Sequence, residues 1–137
     1  MSDWKKMIKD ETVLLVDDEF DILEIYEFYL ENEGFKILRA TNAMEAMKHI
    51  ENNNVILVLT DHRMPDMDGT NLCDLIKGRF NHIYVVIISG YANSVTDTTD
   101  TCQYQPDLIF SKPVDQETLI RTVHGFAKRY FDHKKAV

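Results

Sequence analysis

The sequence predicts an α/β domain, in which helices cover both faces of a five-stranded parallel sheet. Five short apolar runs recur along the chain, and several are apolar on successive residues, as strands buried on both faces are. Segments long enough for a helical crossover separate the runs, and parallel strands need such crossovers. We therefore assign residues 12–131 to one domain of repeating β-α units, with a leader over 1–11 and a basic tail over 132–137.

The first two β-α units are defined by their apolar periodicity and their stop signals. A buried strand over Thr12–Val16 is followed by a helix to about Glu33, where Gly34 ends it. Residues 35–40 alternate between apolar and polar, which predicts an edge strand. Asn42 is placed to cap the second helix. The inward faces of these two helices are predicted to consist of Leu23, Tyr26, Leu30, Ala43, Ala46, Met47 and Ile50.

The third unit contains the central strand. Residues 55–60 form an unbroken apolar run that ends at Asp61, and a polar turn over 62–69 stops the strand. A helix is predicted over 70–79, and a further buried strand over 83–88 ends before Ser89-Gly90. The inward residues predicted for this helix are Leu72, Leu75 and Ile76.

The last two units are less regular in sequence. Residues 92–104 are rich in β-branched side chains with low helix propensity, but a parallel sheet needs a crossover there, so a helix is predicted. A fifth strand over 107–110 is broken by Lys112-Pro113. Asp115 caps the last helix. The inward residues predicted for that helix are Leu119, Ile120, Val123 and Ala127.

Composition and charge narrow the classes of function. Hydrophobic residues make up 45% of the 137 residues, which is typical of a globular domain. The net charge of −8 argues against sequence-independent binding to a nucleic-acid backbone. No apolar run approaches a membrane span, and residues 1–6 do not resemble a signal peptide. We therefore expect a cytoplasmic protein, with Cys73 and Cys102 as reduced thiols.

Side chains that carry chemistry follow four of the predicted strands: Asp17 and Asp18, then Asp61, Ser89 and Lys112. Parallel strands end at one edge of the sheet, where open α/β folds bind their ligands. If the first and third strands are neighbours, three carboxylates meet there and take up protons or bind a cation. Oxygen ligands with room for water suit Mg²⁺, and an ammonium and a hydroxyl complete a cradle for a phosphoryl group. The set favours phosphoryl transfer to Asp61 as the nucleophile.

Over roughly residues 12–130 the chain resembles the receiver domains of two-component response regulators of the chemotaxis-regulator type. That resemblance implies a flavodoxin-like sheet in the order 2-1-3-4-5. It also implies a signalling module that catalyses only its own phosphorylation and dephosphorylation. The matching stretches are Val13-Leu14-Leu15-Val16-Asp17-Asp18-Glu19, Asp61-His62-Arg63-Met64-Pro65-Asp66-Met67-Asp68-Gly69, Ile88-Ser89-Gly90 and Ser111-Lys112-Pro113.

The resemblance also implies ligands and a donor. Asp61 would accept a phosphoryl group from the phosphohistidine of a sensor histidine kinase or a phosphotransfer protein. Asp18, Asp61 and the backbone carbonyl of Arg63 would ligate Mg²⁺ or Mn²⁺, and Asp17 would act mainly through a bound water. Lys112 would pair with Asp61 and then with the phosphoryl oxygens.

The same resemblance assigns further roles around the pocket. Ser89 would swing in to hydrogen-bond the phosphoryl group, and the bond before Pro113 would be cis. Arg63 and Tyr91 occupy the two variable positions that flank the pocket, and we expect them to shield the acyl phosphate and set its lifetime. The chain departs from the family pattern at Ile109, where an aromatic residue is usual.

Three alternatives remain open on sequence grounds. Residues 66–70 (Asp-Met-Asp-Gly-Thr) spell the nucleophile motif of haloacid-dehalogenase-type phosphatases, although that motif should directly follow a strand and here it does not. A receiver-shaped module can also bind partners without being phosphorylated. A flavin-binding module of the same topology lacks support, because no hydroxyl-rich phosphate loop follows the first strand.

The output is predicted to be protein–protein contact, with a downstream protein target or a linked output domain as the recipient. The expected surface consists of the helix over 92–104, the fifth strand and the last helix, and a homodimer through these elements is one form of that contact. No direct nucleic-acid or membrane contact is expected.

Overall fold

A computed structural model describes residues 11–90 and 102–135. Five parallel strands form one sheet in the order β2-β1-β3-β4-β5, which confirms the predicted topology. The strands are β1 (Thr12–Val16), β2 (Lys36–Ala40), β3 (Val55–Asp61), β4 (Tyr84–Ser89) and β5 (Leu108–Ser111), and the described helices are α1 (Phe20–Leu30), α2 (Ala43–Asn52), α3 (Gly69–Arg79) and α4 (Gln116–Lys135).

Helices cover both faces of the sheet, because alternate residues of the central strands enter two separate hydrophobic clusters. Val13 and Leu15 of β1 pack with residues of α1 and α4, whereas Leu14 and Val16 pack with residues of α2 and α3. This explains why the sequence of β1 is apolar on successive positions. The edge strand β2 is only partly buried, as its alternating sequence predicted.

The helix ends follow local chemistry. Asn42 caps α2 by accepting a hydrogen bond from the Glu45 amide at 2.9 Å, as predicted. Asp115 accepts a hydrogen bond from the Thr118 amide at 3.3 Å at the start of α4. Helix α1 ends at Leu30, a few residues before the predicted end, and Gly34 takes a positive φ of 93° in the turn that follows.

Two helix predictions need correction. Leu75 was predicted to point inward from α3, but its side chain is 38% exposed, and Cys73 is buried in its place beside Leu72 and Ile76. The buried face of α3 therefore includes Gly69 and Cys73 and excludes Leu75. A helix was also predicted over 92–104. Its last three residues, 102–104, are not helical, and residues 92–101 lie outside the described residues.

The segment before β5 runs along α3 as irregular chain. The Tyr104 amide donates to Asp74 of α3 at 2.8 Å. Asp107 accepts a hydrogen bond from the Val85 amide at 2.8 Å and pairs with Lys77 at 2.6 Å. In the part of the chain that the structure describes, no helix has the length and apolarity to cross a bilayer.

Candidate functional site

Three carboxylates meet at the carboxyl edge of the sheet. Strands β1 and β3 are neighbours, with Val16 paired to Thr60, so Asp17 and Asp61 leave adjacent strands at the same level. One oxygen from each of Asp17, Asp18 and Asp61 lies within 4.8 Å of the others. Asp17 is buried, Asp61 is partly buried and Asp18 is exposed, so the cluster opens to solvent on the Asp18 side.

Lys112 reaches the same cluster from β5. Its Nζ lies 3.0 Å from Asp61 Oδ1 and 3.3 Å from Asp17 Oδ2, and its side chain is 25% exposed. The backbone fixes this approach, because the Lys112 amide donates to the Ser89 carbonyl at 2.7 Å. The Lys112-Pro113 peptide is cis, as the resemblance implied.

The neighbouring charges and the burial perturb protonation in this cluster. Burial raises the pKa of Asp17 to about 6. The hydrogen bond from the Glu19 amide lowers this pKa, the negative charge of Asp61 raises it further, and the positive charge of Lys112 lowers it. Burial alone would lower the pKa of Lys112, but the hydrogen bond to Asp61 and the charges of Asp17 and Asp61 raise it. Lys112 therefore stays an ammonium beside the carboxylates.

The loop after β3 packs closely against the backbone of Asp61. The His62 amide donates to Asp61 Oδ1 at 2.9 Å, and the Gly69 amide donates to the His62 carbonyl at 2.7 Å. A Cβ added at Gly69 would overlap the carbonyl oxygen of Asp61. Glycine therefore allows α3 to begin directly against this strand end. Burial also lowers the pKa of His62, which favours the neutral ring.

Asp66 lies away from the acidic cluster and caps a helix instead. Its Oδ1 accepts from the Ala43 amide at 3.1 Å, and its Oδ2 accepts from the Met44 amide at 3.2 Å. Both oxygens are thus engaged at the amino end of α2. The phosphatase reading of residues 66–70 required Asp66 as a nucleophile after a strand, and this arrangement gives it no support.

The other predicted site residues differ in burial and in their distance along the chain from the strand ends. Ser89 ends β4 and is buried next to the Lys112 backbone. Arg63 is exposed in the loop after Asp61, and Tyr91 lies outside the described residues. Ile109 packs on the α2–α3 side of the sheet while Phe110 packs on the opposite side, so Phe110 does not replace the missing aromatic residue.

Sequence reasoning did not find the capping role of Asp66 or the close packing of Gly69 against Asp61. Neither feature can be recognised from the sequence, because each depends on a contact between separate structural elements. The capping contact between Asp66 and Ala43 spans 23 residues of sequence.

A family model described as the response regulator receiver domain matches residues 13–124. Together with the parallel sheet covered by helices on both faces and the acidic cluster, this match defines the class of protein to which the chain belongs. The chain belongs to the response regulator receiver domain family, and it is a phosphoacceptor module of two-component signalling.

Individual relatives support the same conclusion. The regulatory protein VanR of Enterococcus faecium is 28% identical over 118 residues, which cover 86% of this chain and 50% of VanR. A CheY-like receiver domain protein from Methanospirillum hungatei JF-1 is 28% identical with a TM-score of 0.79, and the match covers 90% of this chain and 98% of that one. The response regulator TrrA of Thermotoga maritima, solved in complex with Mg(2+)-BeF, is 26% identical with a TM-score of 0.75, with coverages of 85% and 98%. The chain thus spans about half the length of VanR.

Proposed function

We propose that Asp61 is the phosphoacceptor and that it takes its phosphoryl group from the phosphohistidine of a sensor histidine kinase or a phosphotransfer protein. The observation that supports this most directly is the convergence of Lys112 on Asp61 and Asp17, with Asp18 beside them. Asp61 Oδ1 accepts from both the His62 amide and Lys112, which leaves Oδ2 as the attacking oxygen. Its attack forms the acyl phosphate as the phosphorus–nitrogen bond breaks, and that electron pair returns to the imidazole.

A divalent cation fits the donor set. Three carboxylate oxygens within 4.8 Å of one another, one side open to water, are the hard ligands that Mg²⁺ or Mn²⁺ accepts. We assign the ion to Asp18, Asp61 and the backbone carbonyl of Arg63, with Asp17 acting mainly through a bound water. Such an ion offsets charge between the carboxylates and the incoming phosphoryl oxygens.

Lys112 and Ser89 are proposed to receive the phosphoryl oxygens. The Lys112 ammonium is already held at 3.0 Å from Asp61, so a phosphoryl group on Asp61 falls within its reach. Ser89 is the last residue of the neighbouring strand β4, and its backbone carbonyl accepts a hydrogen bond from the Lys112 amide. A hydrogen bond from its hydroxyl to the phosphoryl group would transmit phosphorylation to the segment after β4.

Arg63 and Tyr91 are proposed to set the lifetime of the acyl phosphate by shielding it from water. Arg63 is exposed two residues after Asp61, which is compatible with that role. If Arg63→Ala and Tyr91→Ala both leave the dephosphorylation rate unchanged, this assignment is wrong.

Output is proposed through protein contact at the segment over 92–104, β5 and α4, either with a downstream target or with a linked domain. A cavity of about 210 Å³ lies between β5 and α4, and Leu108 is exposed at its edge. A homodimer through these elements would increase with beryllofluoride and Mg²⁺ in sedimentation velocity, and Asp61→Asn would abolish the increase. We place the phosphoryl transfer and the output contact in the cytoplasm, where the thiols of Cys73 and Cys102 stay reduced.

Incubation with acetyl phosphate and Mg²⁺, followed by intact-mass measurement, tests the central proposal. The wild-type chain should gain one phosphoryl group, and Asp61→Asn should gain none. Asp68→Asn is the matched control, because it changes another aspartate of the same loop whose side chain makes no capping hydrogen bond, so it should still be labelled. A wild-type chain that gains no mass while it remains folded would favour the module that binds partners without phosphorylation.

A further inference from the structure

We propose that Asp66 is a positioning residue that fastens the loop between β3 and α3 to the amino end of α2 and thereby supports cation binding at the acidic cluster. This inference rests on the proposed function, because it concerns the ion assigned to Asp18, Asp61 and the Arg63 carbonyl. Asp66 itself is assigned no contact with the ion or with the phosphoryl group.

The hydrogen bonds at the start of α2 identify what Asp66 supplies. A helix begins with amides that have no partner within the helix. At α2, the Asn42 side chain accepts from the Glu45 amide, and the Asn42 carbonyl accepts from Ala46. The two amides left, those of Ala43 and Met44, both donate to Asp66. The carboxylate also lies at the positive end of the helix dipole, which strengthens both bonds.

This link crosses the carboxyl end of β1. Helix α2 follows β2, the loop follows β3, and β1 lies between those two strands. Asp17 and Asp18 follow β1 directly, so the bonds from Asp66 to α2 bridge the elements on either side of the strand that supplies two of the carboxylates.

The loop is fixed on both sides of Arg63, and Asp66 supplies its hydrogen bonds to α2. On one side, the His62 amide binds Asp61 Oδ1. On the other, Met64 is buried in the α2–α3 cluster and Asp66 binds the helix start. Releasing Asp66 removes the attachment of the loop to α2, so that the buried Met64 side chain and the hydrogen bond from the Gly69 amide to the His62 carbonyl have to hold its later part. The backbone carbonyl assigned to the ion then samples more orientations, and cation affinity falls.

Three alanine variants separate this link from simpler effects. Asp66→Ala removes the link. Asp68→Ala removes an equal charge from the same loop, but the Asp68 side chain makes no capping hydrogen bond. Asn42→Ala weakens the start of α2 from its own sequence and leaves the loop attached. Asp66→Asn keeps one acceptor oxygen and serves as the milder variant if Asp66→Ala does not fold.

Isothermal titration with Mg²⁺, in the absence of any phosphoryl donor, provides the first measurement. We expect the dissociation constant to rise about 10-fold in Asp66→Ala, the lower end of effects from outer supporting residues, and by less in Asp66→Asn. The two control variants should remain within about twofold of wild type. Equal weakening in Asp66→Ala and Asn42→Ala, or none in either aspartate variant, would overturn the proposal.

Amide hydrogen exchange provides a second readout that a purely structural cap would not change. Coupling between two sites is reciprocal, so Mg²⁺ should slow exchange at the Ala43 and Met44 amides in the wild type and in Asp68→Ala, but not in Asp66→Ala. Unchanged exchange at these amides in Mg²⁺-saturated wild type overturns the link alone. A wild type that binds no Mg²⁺ overturns the metal assignment as well, which distinguishes the two failures.

Discussion

The raised pKa of Asp17 makes a quantitative prediction about stability and pH. In the folded, metal-free chain the pKa of Asp17 is about 6, compared with an ordinary value of 3.8 for an aspartate carboxyl. Because the folded state holds the proton more tightly, this group stabilises the fold at low pH, and that stabilisation is lost as the pH rises through 6. With these two values, its contribution falls by roughly 1–2 kcal/mol between pH 5 and pH 8.

Asp17→Asn should remove this dependence, because asparagine stays neutral at every pH. The stability of Asp17→Asn relative to wild type should therefore increase by roughly 1–2 kcal/mol from pH 5 to pH 8. Urea denaturation in the presence of EDTA measures both chains at matched pH, and other titrating groups largely cancel in the difference. Lys112 keeps its contact with Asp61 in the variant, so its charge remains paired. A difference that stays flat from pH 5 to pH 8, or that shrinks, would refute the reasoning.

Three further predictions concern glycine and cysteine. Gly69→Ala should destabilise the fold by about 1–3 kcal/mol in urea denaturation, because the new Cβ meets the Asp61 backbone, and an unchanged midpoint would contradict the packing described. Gly125→Ala should stabilise the fold by about 0.5–1 kcal/mol in the same assay, because Gly125 lies inside α4 and a Cβ there meets nothing within 4 Å. A lower denaturation midpoint in this variant would contradict the prediction. Under native conditions an aromatic disulfide reagent should label Cys102 well before Cys73, because Cys73 is fully buried and burial raises its thiol pKa to about 12; equal rates would argue against that burial.

Much of the fold was predictable because the signals that define it are local. The runs that became β1, β3 and β4 are apolar on successive residues, and only strands covered on both faces tolerate that pattern. Asn42 and Asp115 cap helices through amides three residues away, so their roles are readable from spacing. Leu75 shows the limit, because the rotation of a helix about its axis depends on what packs against it.

The site was predictable to the extent that it follows from sheet topology. Residues that directly follow parallel strands must share an edge, so Asp17, Asp61 and Lys112 could be grouped before their distances were known. Whether β1 and β3 are neighbours was beyond periodicity, and the family resemblance supplied that order.

Asp66 illustrates why identical sequence letters carry different chemistry. Residues 66–70 spell a phosphatase motif, but a nucleophilic carboxylate needs an oxygen directed at substrate from the end of a strand. Here β3 ends at Asp61, five positions earlier, and both oxygens of Asp66 bind amides of α2. Position relative to the strand end therefore favours Asp61 as the proposed nucleophile and the proposed supporting role for Asp66. If Asp66→Asn lost labelling by acetyl phosphate while Asp61→Asn kept it, the assignment would have to be reversed.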